Sequence, residues 1–416
     1  MGLFGRRQYV HVNRDDRGVI ETRQENFRDW IPSFDCNSHF SVFGGSVDRR
    51  NLMVLEAISR CYGKMGIIVI HSNPSIISMI DGFYQYYPRL CNHTEEMGID
   101  VKKCQISSAQ PEYEPFYGMS GIRVIEAIYP QLYSGNLNAA QKNLCEEALK
   151  QFFKIIRFLG EELDLDILIK LVNMDINEIE DIISGMSQNE RSTIISTLIN
   201  NNIFIQVRAD LNAFASRLEG RIWTRSKDDE EVSDISMIKA VENNAILSIH
   251  VNSNRDILNY LAAEIKVIMD SGRRFLLVLD SVNIESTVMN DELMNLLSLP
   301  FSTVLASDNI RGIFGNSNFE NALSRMNVAL LLRHANINVA REYSNAIGQY
   351  DRQMVTYNYG SNREAFKIFG SHNKGQNVMV DRFDRISPEE IVGIGDGAII
   401  MDQENNEIIK TSNLIM

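Results

Sequence analysis

Apolar residues are arranged along this chain in two rhythms. The first is the short continuous run. Gly66-Ile67-Ile68-Val69-Ile70 ends at His71, and Ala245-Ile246-Leu247-Ser248-Ile249-His250-Val251 and Arg274-Phe275-Leu276-Leu277-Val278-Leu279-Asp280 repeat the pattern. Runs of this length predict strands buried on both faces, as in a parallel sheet. Phe40-Ser41-Val42-Phe43, Ser302-Thr303-Val304-Leu305-Ala306 and Val328-Ala329-Leu330-Leu331-Leu332 predict three more. The second rhythm is helical. Leu52, Val54, Leu55, Ile58 and Cys61 keep helical spacing from about Arg50 to Tyr62. Further helices are predicted near 254–270 and from Asn336 to Ile347. From about Asn138 to Leu218 the helical rhythm dominates, with Leu144, Leu149, Phe152, Phe153, Ile156 and Leu159 on one stripe. Asp175-Ile176-Asn177-Glu178 and Ser187-Gln188-Asn189-Glu190 read as helix starts, the second as a capping box.

Strand, glycine turn, helix and buried strand over 40–71 make a βαβ unit. Alternating strands and helices predict an α/β fold: a mostly parallel sheet with helices on both faces, plus an inserted all-helical domain. The expected divisions are 1–134 and 236–416 as the two parts of the α/β domain, and 135–235 as the insertion. Gln8-Tyr9-Val10-His11-Val12 is expected in an edge strand, and Lys227-Asp228-Asp229-Glu230-Glu231 in a solvated break. Ala365-Phe366-Lys367-Ile368-Phe369 and Ala398-Ile399-Ile400-Met401 are expected to pair as a late hairpin.

Composition narrows the function classes. A length of 416 residues exceeds one small core, and a formal charge of -13 disfavours nucleic-acid phosphate except at a local basic cluster. Two such clusters stand out: Arg49 and Arg50 with Arg60, and Arg217, Arg221 and Arg225 beside Trp223. The second reads best as a solvated helix face. Five cysteines at irregular spacings, without a CxxC pair, argue against a disulfide framework or a closed zinc site. There is no run of about 18 apolar residues to span a membrane, and the start is not a signal peptide. The expected location is cytoplasmic, with peripheral attachment at the inner face of a membrane as the variant. GxSxG, HExxH and dinucleotide fingerprints are all missing.

The candidate chemistry lies between Phe43 and the following helix. A P-loop needs GxxxxGK[ST]: glycines whose amides wrap phosphates, a lysine for their charge and a hydroxyl for magnesium. Here the strand and helix flank Gly44-Gly45-Ser46-Val47-Asp48-Arg49-Arg50-Asn51. Aligned on Gly44, Arg49 replaces the second glycine, Arg50 the lysine and Asn51 the hydroxyl residue. Arg49 brings a Cβ into the turn, and the planar fork of Arg50 does not reproduce a compact ammonium. Asp280 closes the strongest buried strand, where a magnesium-orienting aspartate belongs. The next position, where a water-activating glutamate belongs, holds Ser281, and Glu285 is too far along to replace it. Read without further context, Gly44-Gly45-Ser46 is a tight turn and Asp280 a strand-end cap.

The order of these elements from about Phe40 onwards resembles the type IV secretion coupling proteins, the hexameric ATPases of bacterial conjugation. Ser302 to Asp308 resembles their sensor strand. Asn327 to Leu332 with Asn338 to Gly348, and Phe383 to Ile391 with Gly395 to Ile400, resemble their later elements. The resemblance implies a RecA-like P-loop NTPase fold whose inserted helical domain meets substrates or adaptors. The departures all fall in the nucleotide site: the P-loop substitutions, His71-Ser72-Asn73-Pro74 where an acidic residue and lysine belong, Ser281, and a sensor strand with Asp308 and Asn309 but no glutamine. This pattern leads us to expect a pseudo-ATPase coupling or scaffold component. Its expected partners are other secretion-apparatus subunits or adaptors, with a homo-oligomer as one arrangement, DNA only weakly supported, and no dependence on ATP or magnesium. Two readings compete: a weak DNA-translocating ATPase, in which Arg50 meets phosphate and Asp280 holds magnesium, and an unrelated α/β binding protein.

Overall fold

The computed structural model describes residues 17–35, 37–132, 137–199, 201–225, 234–315, 319–362 and 371–416, with side chains described outside 201 and 352–380. The strands in chain order are β1 (Val19–Thr22), β2 (Glu25–Asn26), β3 (His39–Phe43), β4 (Gly66–His71), β5 (Lys103–Ile106), β6 (Ile246–His250) and β7 (Phe275–Asp280). They continue with β8 (Ser302–Ser307), β9 (Val328–Leu331), β10 (Gln349–Asn362), β11 (Ser371–Asp384), β12 (Ala398–Asp402), β13 (Glu407–Thr411) and β14 (Leu414–Ile415). The hydrogen-bonded order is β8-β7-β4-β6-β5 in one compact unit and β1-β13-β12-β9 in the other.

Two compact units make up the chain: residues 31–41 with 46–326, and residues 1–30 with 42–45 and 327–416. In the larger unit β8, β7, β4, β6 and β5 are parallel to their neighbours throughout. Every residue of β4, β7 and β8 is buried. Successive side chains of a strand point to opposite faces, so both faces of this part of the sheet are covered, as the unbroken apolar runs require. Parallel strands also bring their carboxyl ends to one edge. That edge holds His71, His250, Asp280 and Ser307.

Between β5 and β6 the chain is helical. The principal helices are Ala139–Leu159, Leu165–Asn173, Ile176–Ile182, Gln188–Leu198 and Asn201–Leu218. Asn138, Asp175 and Ser187 each start one with a reciprocal capping box, formed with Gln141, Glu178 and Glu190.

A short strap, residues 113–119, ties this helical region to the sheet's own elements. Tyr113 N–H donates to the Ile222 carbonyl at 2.8 Å, Glu114 N–H to Ile235 at 2.8 Å, and Leu165 N–H to the Pro115 carbonyl at 2.9 Å. Phe116, held at φ +71°, donates its N–H to the Tyr260 hydroxyl at 3.0 Å, and that hydroxyl donates in turn to buried Glu264. The Phe116 ring stacks on Phe214 at 5.6 Å. Burial pushes the Glu114 carboxyl up to about 9, with Asp164 and Asp166 adding to the rise, and pushes Asp164 up to about 6.

In the smaller unit β13 pairs parallel with β1 and antiparallel with β12, which also pairs antiparallel with β9. Three expectations change. Ala398–Met401 pairs with β9 and β13 instead of joining a late hairpin; residues 365–369 lie outside the described residues, as do Gln8–Val12 and Lys227–Glu231. The long hairpin is β10 with β11, fourteen residues a side, in a two-stranded sheet of its own. Its sequence reads as polar because a two-stranded ribbon has no interior face that demands an apolar run. Finally, Arg217, Arg221 and Arg225 do not share a helix face. The helix ends at Leu218, and Glu219 to Trp223 form a bridged turn stopped by Gly220 at φ +70°.

Because folding raises both the Glu114 and Asp164 pKa values, the stability linked to them is fully present below the ordinary carboxylate range. It is lost as pH rises, first through about 6 and then toward about 9. Glu114→Gln is therefore expected to leave the urea midpoint at pH 4 nearly unchanged and to raise stability by about 1–3 kcal/mol at pH 9. Parallel wild-type and variant midpoints across that range check it; a wild-type slope unchanged by the substitution would exclude Glu114 as its source.

Candidate functional site

The glycine turn is part of the smaller unit. Gly44 and Gly45 lie at φ +85° and +65°, which glycine adopts without the penalty of a side chain. A Cβ on Gly44 would stand 2.6 Å from the His334 ring and 2.8 Å from the Leu332 carbonyl oxygen, and one on Gly45 would stand 2.7 Å from Leu332 Cδ1. The turn is thus packed closely against Leu332 and His334. Gly45 N–H donates to the Arg333 carbonyl at 2.9 Å, so this amide already has an acceptor.

The other candidate residues belong to the larger unit. Ser46 caps the Val47–Cys61 helix, its hydroxyl accepting from Arg49 N–H at 3.4 Å. Arg49 is half-buried and Asp48 exposed at this helix start. Arg50 and Asn51, one turn in, are buried at 4% and 1% exposure. Burial lowers the Arg50 pKa, and the carboxylates of Asp280 and Asp308 act to raise it. Burial raises that of Asp280, against the hydrogen bonds from Asn73 and Ser281 and the charge of Arg50. Desolvation thus outweighs the favourable opposite charge for each group, as expected for charges taken out of water.

Neutral side chains complete the cluster. The Asn73 amide nitrogen donates to Asn51 Oδ1 at 2.9 Å and to Asp280 Oδ2 at 2.9 Å, using both its hydrogens. The Asn51 amide nitrogen donates to Ser75 Oγ at 2.7 Å, and the Ser75 hydroxyl donates to Asn73 Oδ1 at 2.7 Å. The result is a closed ring of Asn51, Ser75 and Asn73, linked through Asn73 to Asp280. The second Asp280 oxygen accepts from the Ser281 hydroxyl at 3.0 Å. Ser281 itself sits at φ +57°, with its N–H donating to the Ala306 carbonyl at 2.8 Å. Glu285 does not join the cluster; its carboxylate lies where a Cβ on Gly315 would be.

The larger unit therefore brings together Arg50, Asn51, Asp280 and Ser281, with Ser46 at the helix cap. Sequence reading missed Asn73 and Ser75. Asn73 fell in the segment marked as departing from the expected acidic residue and lysine, and the one available signal was its Asn-Pro-Ser run after a strand end, an Asx-turn context. Next to Asp280 in register, His71 is wholly buried and stacked on His250 at 5.3 Å, with its Nε2 3.0 Å from Ser248 Oγ. Burial, then the neighbouring His250, pulls its pKa down to about 4 and keeps it neutral.

The polar side chains at this edge are bonded to one another. Asn51 presents an amide engaged on both sides in place of a hydroxyl, and both Asp280 oxygens accept hydrogen bonds from protein donors. Among the described residues no group of three or more His, Cys, Asp or Glu side chains is placed to hold a metal.

No family model and no curated protein sequence matches the chain. Among solved structures it is similar to the unbound bacterial conjugative coupling protein TrwBdeltaN70, at 12% identity and TM-score 0.50 over 94% of this chain and 86% of that one. It is also similar to VirB4 of Thermoanaerobacter pseudethanolicus, at 12% identity and TM-score 0.41 over 81% and 89%. The first likeness, with the parallel sheet, gives the fold: a RecA-like P-loop NTPase architecture.

Asp280→Ala is expected to destabilise the protein by about 3–5 kcal/mol, because it removes a buried carboxylate whose charge favours the buried Arg50 guanidinium and leaves the donors of Asn73 and Ser281 without it. Ser281→Ala removes one hydrogen bond and is expected to cost about 0.5–1.5 kcal/mol. Urea unfolding of both variants checks the ranking; equal costs would mean that the Arg50–Asp280 pair does not anchor the cluster.

Proposed function

We propose that this chain is a non-catalytic, ATPase-like coupling or scaffold component of a bacterial conjugation or type IV secretion apparatus. It recruits partner subunits or adaptors rather than turning over ATP. The observation that carries the reading is the Asn73 bridge. A RecA-like fold of the kind seen in a conjugative coupling protein has, at its magnesium edge, a ring of side-chain amides and hydroxyls bonded to one another. Arg49 in place of the second glycine and Ser281 in place of the catalytic glutamate point the same way. With the nucleotide edge closed, the helical region between β5 and β6 is the proposed recruiting surface. Among the described residues no helix is long and apolar enough to cross a membrane, and we place the protein in the cytoplasm, docked peripherally through its partners at the inner face of the membrane. A homo-oligomer is one arrangement consistent with this role.

Calorimetric titration with Mg-ATP and with ADP, paired with thermal shift at millimolar nucleotide, tests the reading. We expect neither heat nor stabilisation. A ligand at 100 times its Kd would stabilise the native state by about 2.7 kcal/mol, which thermal shift detects readily. Saturable binding weakened by Asn51→Ala would overturn the reading in favour of a working ATPase, and hydrolysis assays with partner subunits would follow.

A further inference from the structure

The helical region carries a groove with a distinct chemistry. It is a cavity of about 700 Å³ between the segment around Ser120–Ile125 and the Ala139–Leu159 helix. Ile125, Phe153, Ile156 and Leu163 form its apolar lining. Gly121 permits this shape: a Cβ there would stand 2.4 Å from Phe153 Cδ2, so any other residue would displace the ring. Ile122, at the rim, is 66% exposed. An isoleucine that open at the mouth of an apolar groove is unusual enough to suggest a contact surface.

Lys150, Lys154 and Arg157 line the same groove from one helix, at spacings of four and three residues. They form a basic ridge about 10 Å long at the helical rise per residue. Glu161 is the one carboxylate in the lining. In a chain of net charge -13 this ridge is a local reversal of sign. Its cations are not locked in place. Lys150 pairs with exposed Glu147, and Lys154 donates to Gln151 Oε1 at 3.0 Å. The exposed Lys150–Glu147 pair exchanges for a competing carboxylate at little cost, and exposed Lys154 has a neutral amide as its partner there. Lys154 and Arg157 also line a second concavity of about 680 Å³, where Phe158 is 43% exposed. The ridge thus lies between the apolar groove and a second concavity of mixed lining, in which Glu190 is the carboxylate.

We infer that this groove docks an acidic amphipathic helix of a partner protein. Its aliphatic or aromatic anchors, at i, i+3 or i+4, and i+7, would enter beside Phe153 and Ile122, and its glutamates or aspartates would pair with Lys150, Lys154 and Arg157. Charge complementarity selects this occupant, and two turns of helix match the length of the ridge. The inference rests on reading the helical region as a recruiting surface, and it names the chemistry of the partner.

The test uses the full chain and three fluorescent probes. One is a designed 18-residue helical peptide with leucine and phenylalanine anchors flanked by glutamate. The second has the same anchors flanked by lysine, and the third is a 20-nucleotide single-stranded DNA. Anisotropy is expected to show micromolar binding of the glutamate peptide, at least about tenfold weaker binding of the lysine peptide, and loss of affinity as salt rises. Ile122→Asp, an exposed site that the fold does not require, is expected to weaken the glutamate peptide about tenfold. Lys154→Glu with Arg157→Glu is expected to reverse the preference between the two peptides. Equal binding of both peptides, binding indifferent to these substitutions, or DNA displacing the glutamate peptide would overturn the proposal, the last by making the ridge a phosphate surface. Nucleotide titration is independent of this assay. A failed peptide result with no nucleotide binding removes the groove alone, whereas peptide binding by a chain that also binds Mg-ATP removes the non-catalytic reading and keeps the groove.

Discussion

The burial of one guanidinium constrains the carboxyl edge of the larger unit. Arg50 is taken almost wholly out of water, and a charge in that position must be met by an opposite charge and by hydrogen bonds. Asp280 and Asp308 meet the charge. Asp280 in turn needs donors, and Asn73 and Ser281 supply them. Asn73 can reach both Asp280 and Asn51 only if the chain turns sharply after β4, and its Oδ1 bonds to the Ser75 N–H and hydroxyl hold that turn. Strand end, turn and helix start are thereby set by a single electrostatic requirement.

The parts of the fold legible in the sequence are those governed by local rules. Strands β4, β6, β7 and β8 were readable because a strand covered on both faces carries a nearly continuous run of apolar residues. The starts at Asp175 and Ser187 were readable because a capping box is a pattern of four residues. In contrast, the β10–β11 ribbon offered no such signal, since its pairing depends on register between two strands rather than on a local run. The arginines at 217, 221 and 225 kept helical spacing beyond the point where the helix stops, because periodicity does not register the turn at Gly220. In the candidate site, Arg50, Asn51 and Ser281 were legible as departures from a known pattern, and Asp280 as a match to it. Asn73 and Ser75 were not: their roles arise from contacts with residues 22 and 207 positions away in one case and 24 in the other.

The strap at 113–119 holds the helical region through backbone hydrogen bonds as well as ring contacts. Its backbone groups bond to four separate partners, Ile222, Ile235, Leu165 and Tyr260, so each side of the junction satisfies polar groups of the other. Glu114, Asp164 and Glu264 are carboxyls buried close to it. Holding such groups in the neutral form avoids the larger penalty of a buried charge and leaves them able to donate hydrogen bonds.

The Asn51–Ser75–Asn73 ring also has a mechanical meaning. A motor of this architecture alternates between shapes as the charge at its catalytic edge appears and disappears with each cycle of hydrolysis. The amides and the hydroxyl of this ring carry no net charge of their own to gain or release. On the proposed reading, this edge keeps a single geometry whether the cell is rich or poor in energy, and the protein acts in its assembly as a strut of fixed length.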